Sequence, residues 1–254
     1  MSDDSPLEDS FRSALADIGI EDGDFVLVHS RVGTAPLSEV LACLNALIHS
    51  VQPSGTLAIP TFNFGFCRGV AYDYRKTPSE MGLLTELARR DRRARRIHHP
   101  VYGFALFGKD ADTLSMTTHN ISAYGDDSIF AELRRRNGKI LLIDLQIHEC
   151  FTFFHHIEEM VGCDYRFHKT FTGPVIDESG HAAIQSYQVF VRNLDMGVRT
   201  DVAPMGERLE SLGLVRHGTL GRWSLRLLEA GPVFEATRKV PLEEPHLLRQ
   251  VRRS

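Results

Sequence analysis

Phe25-Val-Leu-Val-His29 is a short β-branched and aromatic run, followed by a loop from Ser30 to Pro36. From Leu37 the apolar residues Val40, Leu41, Leu44, Leu47, Ile48 and Val51 recur at helical spacing. Pro53-Ser-Gly55 stops that helix, and Thr56-Leu-Ala-Ile-Pro60 is a second strand-like run. This strand, helix, strand order constrains the chain more than any other feature, because parallel strands need a crossover and their sheet needs helices on both faces. Ile140-Leu-Leu-Ile-Asp144, entered through Gly138-Lys139, suits a further strand buried on both sides. The expected fold is α/β, a single-domain three-layer arrangement with a central mixed sheet flanked by helices.

The other segments agree with that class. Ser79 reads as the cap of a helix over Glu80 to Arg90, Val101 to Phe107 as a strand, and Ser128 to Arg136 as a helix. Phe151 to Val161 reads as an apolar-aromatic helix rich in ionisable groups, Tyr187 to Val191 as a strand, and Ala203 to Leu212 as an amphipathic helix. The 254 residues hold 43% apolar side chains, enough for a substantial core, and no Pro/Gly/Ser-rich linker divides them. We expect an acidic N-terminal segment or helix over 1–16 and one α/β domain over 17–254.

Met1 to Asp24 carries eight acidic side chains against one Arg, without the basic start and apolar core of a signal peptide. No apolar run is long enough to span a bilayer. Cys43, Cys67, Cys150 and Cys163 form no C-x-x-C pair and are too few for a disulfide scaffold, so reduced thiols in the cytoplasm are expected. Arg89 to Arg96 holds six arginines against Asp91, a cluster suited either to an anion or to the negative pole of a helix dipole. The run lacks interleaved aromatics and the net charge is −4, so neither nucleic acid nor membrane is an expected partner.

Chemistry concentrates in Thr152-Phe-Phe-His155-His156-Ile-Glu158-Glu159. On a helix His155 and Glu158, three apart, share a face, and His156 points roughly 100° away. A carboxylate bonded to one imidazole nitrogen fixes the tautomer and raises the basicity of the other, as a general base near neutral pH requires. The same spacing also describes an ordinary surface pair worth a few tenths of a kcal/mol. His148-Glu149 is followed three residues later by Thr152, and His155 and Glu158 by Glu159, so neither H-E-x-x-H nor its inverse is present and no metal is expected. P-loop, G-x-G-x-x-G and G-x-S-x-G signatures are missing too. Loops at the carboxyl ends of parallel strands bind ligands, which adds His29-Ser30-Arg31 and Thr61-Phe62-Asn63 to the candidates.

Taken in order, the motifs resemble the aminoglycoside 3-N-acetyltransferase family. The matching pieces are Gly23-Asp-Phe-Val-Leu-Val-His-Ser30, Pro53-Ser-Gly-Thr-Leu-Ala-Ile-Pro-Thr61, Pro78-Ser-Glu-Met-Gly82 and Arg95-Arg-Ile-His-His-Pro100. Gly125-Asp-Asp-Ser128, Gly138-Lys-Ile-Leu-Leu142 and Thr152-Phe-Phe-His-His-Ile-Glu158 follow. The resemblance implies an acetyl-coenzyme A dependent transfer to an amine, with His155 deprotonating the acceptor, Glu158 supporting it and Asp195 orienting the histidine. It places the family His-Pro on His99-Pro100, which makes His99 a further catalytic candidate.

By the same resemblance, Ser30, Arg31 and Val32 hold the pantetheine and pyrophosphate of coenzyme A. His29 and Thr61 at the strand ends, and Arg96 in the arginine run beside His99, are further expected cofactor contacts. Asn63, Tyr102, Glu159 and Tyr165 are expected around the acceptor. Two departures concern substrate identity: Arg31 stands where drug-modifying members usually repeat Ser, and Gly103 where a serine often follows His-Pro. A polycationic antibiotic needs several carboxylates around its pocket. Few cluster here, and Tyr165-Arg-Phe-His-Lys-Thr-Phe-Thr-Gly173 resembles members associated with polysaccharide biosynthesis and amino-sugar metabolism, so the expected acceptor is a primary amine of an amino sugar, free or nucleotide-linked. The alternatives are a true aminoglycoside 3-N-acetyltransferase and a non-catalytic coenzyme A-binding protein of the same fold. A homodimer is the assembly considered.

Overall fold

A computed structural model describes residues 6–117 and 122–251. Its elements run α1 (Pro6–Ile18), β1 (Phe25–Ser30), α2 (Leu37–Val51), β2 (Thr56–Pro60), β3 (Tyr72–Asp73), α3 (Leu83–Arg90), β4 (Arg95–Ile97) and β5 (Phe104–Gly108). Next come α4 (Ala111–Thr117), α5 (Ile129–Arg135), β6 (Lys139–Ile143), α6 (Phe153–Val161), β7 (Arg166–Ile176), β8 (Ala182–Arg192) and β9 (Val198–Thr200). The chain closes with α7 (Ala203–Ser211), β10 (Arg216–Leu220), β11 (Trp223–Glu229), α8 (Ala230–Thr237), α9 (Val240–Glu243) and β12 (Arg249–Val251).

Seven strands form the central sheet in the order β10-β11-β6-β1-β2-β5-β4. The inner trio β6-β1-β2 is parallel, and β11, β10, β5 and β4 add antiparallel flanks, so the sheet is mixed. Side chains alternate between faces along a strand. Leu27, Ala58, Ile140 and Leu142 therefore face one core with α5, α6 and α8. Val26, Val28, Leu57, Ile59, Leu141 and Ile143 face the other with α1, α2 and α3. The result is a three-layer α/β architecture.

α1 is part of the second core, since Phe11 and Leu15 are buried there. Two elements start later than their sequence pattern suggests. Ser79 spends its hydroxyl on Thr85, and the helix begins only at Leu83. Val101 to Gly103 form a turn around His99, which delays β5 to Phe104.

The parallel strands end together at Ser30, Pro60 and Ile143. At the end of β6, Asp144 takes a left-handed φ of 52°, which turns the chain across these strand ends. A long antiparallel hairpin, β7–β8, pairs from Arg166↔Arg192 to Ile176↔Ala182. With β3 it forms a second sheet, and its base overhangs α6.

Candidate active site

α6 is closed by Gly162, whose φ of 70° lets its N–H donate back to the carbonyls of Glu158 and Glu159. Phe153, Phe154, His156 and Ile157 are buried, which fixes the helix rotation and turns His155 outward. His155 Nδ1–H donates to Glu158 Oε2 at 2.7 Å. Glu158, 1% exposed, also receives the Tyr165 hydroxyl on Oε1 at 2.9 Å and pairs with Arg166 Nε at 2.7 Å. Burial works to raise its pKa, but the hydrogen bond from His155, the Arg166 charge and the hydrogen bond from Tyr165 outweigh this and hold the carboxyl below its ordinary range. Burial lowers the pKa of His155, and the Arg166 charge adds to this, while Glu158 partly restores it. His155 is therefore neutral near pH 7, with Nε2 as its basic nitrogen at the cavity wall.

Three cavities join into one groove along the strand ends. The first is lined by His29, Ser30, Arg31, Glu80, Met81 and Cys150. Met81, Glu149 and Cys150 carry it into the second, which contains Tyr102, Thr152 and His155. Tyr102, His155 and Thr200 open onto the third, about 430 Å³, with Tyr124, Arg166, Phe190 and Arg192. Arg31 is ion-paired with Glu149 and ties the loop after β1 to the loop after β6. The His29 ring lies 3.3 Å from Cys150 Sγ, and burial lowers its pKa to about 4. Burial also raises the Cys150 thiol to about 11, so it is no thiolate near neutral pH. Among the described residues no group of three or more His, Cys, Asp or Glu is placed to hold a metal.

Several expected site residues are placed elsewhere. Asp195 is exposed in the turn after β8, and the carboxylate on His155 Nδ1 is Glu158. His99 is 1% exposed and accepts the backbone N–H groups of Val101 and Tyr102 on Nδ1, so it braces a turn, and burial lowers its pKa to about 3. Arg96 donates to the Tyr74 carbonyl and the Tyr72 hydroxyl beside β3, in a cavity that shares no residue with the groove. The rest of the arginine run is largely neutralised: Arg89 and Arg90 pair with Glu86, Arg93 with Asp91 and Arg95 with Asp112. Asn63 spends both ends of its amide on the Pro78 carbonyl and the Gly65 N–H, and Val32 packs in the core. Thr61 is buried, with its N–H on Gly103. Tyr165 is a buried support for Glu158, and Glu159 accepts from Ser122 and His168 beneath the hairpin. His29, Ser30, Arg31, Phe62, Tyr102 and His155 are the expected residues that line the groove.

A family model described as aminoglycoside 3-N-acetyltransferase matches residues 27–240. The chain belongs to the aminoglycoside 3-N-acetyltransferase family. It is 26% identical over 255 residues to aminoglycoside N(3)-acetyltransferase IX of Micromonospora chalcea, covering 87% of this chain and 88% of that one. Its fold matches the YokD protein of Bacillus subtilis at a TM-score of 0.78 and 22% identity, over 94% of each chain. AAC-IIIb in binary complex with CoASH matches at 0.76 and 20% identity, over 91% of this chain and 94% of that one.

Family membership makes two local features informative. A Cβ on Gly103 would lie 3.1 Å from both the His99 carbonyl and Thr61 Oγ1, so the braced turn leaves little room for serine. Arg166, Tyr124, Arg192 and Thr200 are groove residues that the motif reading did not name. The signal for Arg166 was an arginine at the base of an unassigned strand, eight residues beyond its carboxylate partner.

Proposed function

We propose that this acyltransferase-family chain moves the acetyl group of acetyl-coenzyme A to a primary amine borne on an amino-sugar ring, whether a simple sugar, a phosphorylated or nucleotide-linked one, or an aminoglycoside. The observation that carries the reading is the neutral His155 held by Glu158 in a groove continuous with the loop after β1. An alkyl ammonium is not a nucleophile, so a proton must leave before the amine attacks the thioester carbonyl. Nε2 of His155 takes it, and Glu158 stabilises the imidazolium through Nδ1–H. Arg166 and Tyr165 keep Glu158 ionised and oriented.

The oxyanion forming on the thioester needs a donor. The Arg31 N–H is already bonded to the Ile143 carbonyl, so the task falls to the Ser30 hydroxyl on the groove wall. Losing such a donor costs about 3 kcal/mol. Coenzyme A fits the same loop, where backbone N–H groups between a strand and a helix favour an anion. The names of the relatives favour an aminoglycoside acceptor. A simple amino sugar stands as the second reading, because no carboxylate is among the residues lining the third cavity.

Thiol release from acetyl-coenzyme A with a panel of amino sugars and aminoglycosides tests the reaction. His155→Ala is expected to lower kcat/KM by about 10²–10⁴-fold while coenzyme A still binds. A fully active variant overturns the role of His155. Calorimetric binding of coenzyme A without turnover on any amine supports a non-catalytic binding protein instead.

A further inference from the structure

Beyond His155 the groove becomes cationic. Arg166 and Arg192 face each other as the closing pair of the β7–β8 hairpin, an arrangement of like charges that is unfavourable unless something neutralises them. Glu158 neutralises Arg166. Among the described residues nothing pairs with Arg192, which lines the third cavity and continues into a fourth of about 540 Å³. Arg199 also lines that fourth cavity and has no ion-pair partner among the described residues. Leu194 and Thr200 are common to both spaces, and no Asp or Glu is among the lining residues of either. A polycationic acceptor would meet two unpaired guanidinium groups there and no carboxylate.

We infer that the acceptor carries an anionic oxygen group, a phosphate or carboxylate, which Arg192 and Arg199 bind while its amine reaches His155. The inference rests on the acetyl-transfer reading and narrows its acceptor. Guanidinium groups suit such anions through paired, charge-assisted hydrogen bonds, and Thr200 adds a hydroxyl beside them. The anion is separated from the loop after β1 by His155 itself, which leaves that loop to the acetyl donor.

Thiol-release kinetics on four acceptors tests this: glucosamine, glucosamine 6-phosphate, a nucleoside diphosphate-linked amino sugar and an aminoglycoside. The expected result is a kcat/KM for one of the phosphorylated amines at least roughly tenfold above that for glucosamine and for the aminoglycoside. The two phosphorylated arms distinguish a monophosphate from a diphosphate. In Arg192→Ala/Arg199→Ala, with an unchanged melting temperature, the ratio of phosphorylated to neutral acceptor should fall by roughly tenfold through the acceptor KM. An aminoglycoside preferred by the wild type overturns the inference while leaving acetyl transfer intact. So does a double variant that raises the KM of acetyl-coenzyme A and leaves the acceptor ratio unchanged, since the arginines would then serve the donor. If no amine releases thiol, the transfer reading fails by itself. Calorimetry of glucosamine 6-phosphate then decides the anion site: binding lost in the double variant supports it, and no binding to the wild type overturns it.

Discussion

Glu158 accepts hydrogen bonds or ion pairs from three donors, His155, Tyr165 and Arg166, at a site closed to water. An amide there turns an NH2 group toward one of those donors and leaves Arg166 without its counter-charge. Glu158→Gln is therefore expected to lower folding stability by about 3–5 kcal/mol, read as the shift in urea denaturation. It also has a kinetic signature. The carboxylate raises the pKa of His155 against burial and Arg166, so its loss moves the acidic limb of kcat/KM to lower pH and weakens the base. In the wild type the limb should already lie below the ordinary histidine value of about 6.5. A limb unmoved by Glu158→Gln would mean that another group titrates in catalysis. The i, i+3 spacing made His155 and Glu158 legible in the sequence, because a helix brings such residues together by itself. The other partners of Glu158 come from the chain beyond α6, and the distance from Asp195 to His155 depends on the whole hairpin between them.

At the scale of elements, legibility followed burial. β1, β2 and β6 read directly as apolar runs because both of their faces are covered. β7 and β8 are mostly exposed, and the polar Thr170, Thr172, Gln185 and Ser186 hide their pairing, so only Tyr187 to Val191 was expected as a strand. That segment bears the buried residues Val189 and Phe190 that pack toward the site. The placement of His155 depends in turn on how α6 ends. Gly162 sits in the left-handed region with open space around it, so a methyl group there meets backbone strain and no clash. Gly162→Ala should cost about 1–2 kcal/mol of stability, and Gly162→Asn less, since asparagine tolerates that conformation. Equal melting temperatures for the wild type and Gly162→Ala would show that α6 does not need this termination.

Across the whole molecule, three buried histidines share one electrostatic property although they serve different layers. His29 lies at the groove floor, His99 braces the turn before β5, and His156 on α6 donates from Nδ1 to the carbonyl of Tyr124, in the segment before α5, at 2.6 Å. Burial lowers their pKa values to about 4, about 3 and about 4 respectively. In the unfolded chain each takes a proton near the ordinary value of about 6.5. Their folded-state values are depressed, so the unfolded state binds more protons and stability falls as the pH drops below about 6.5. Each histidine contributes a slope of about 1.4 kcal/mol per pH unit between its two values, and the three together about 4 kcal/mol per unit. Urea denaturation midpoints should therefore drop steeply between about pH 6 and about pH 4.5, before most carboxylates titrate. His156→Phe, which keeps an aromatic ring against Phe153, should remove about one third of that slope. A midpoint constant over this range would show that these rings gain protons within the folded chain, contrary to the burial that sets their pKa values.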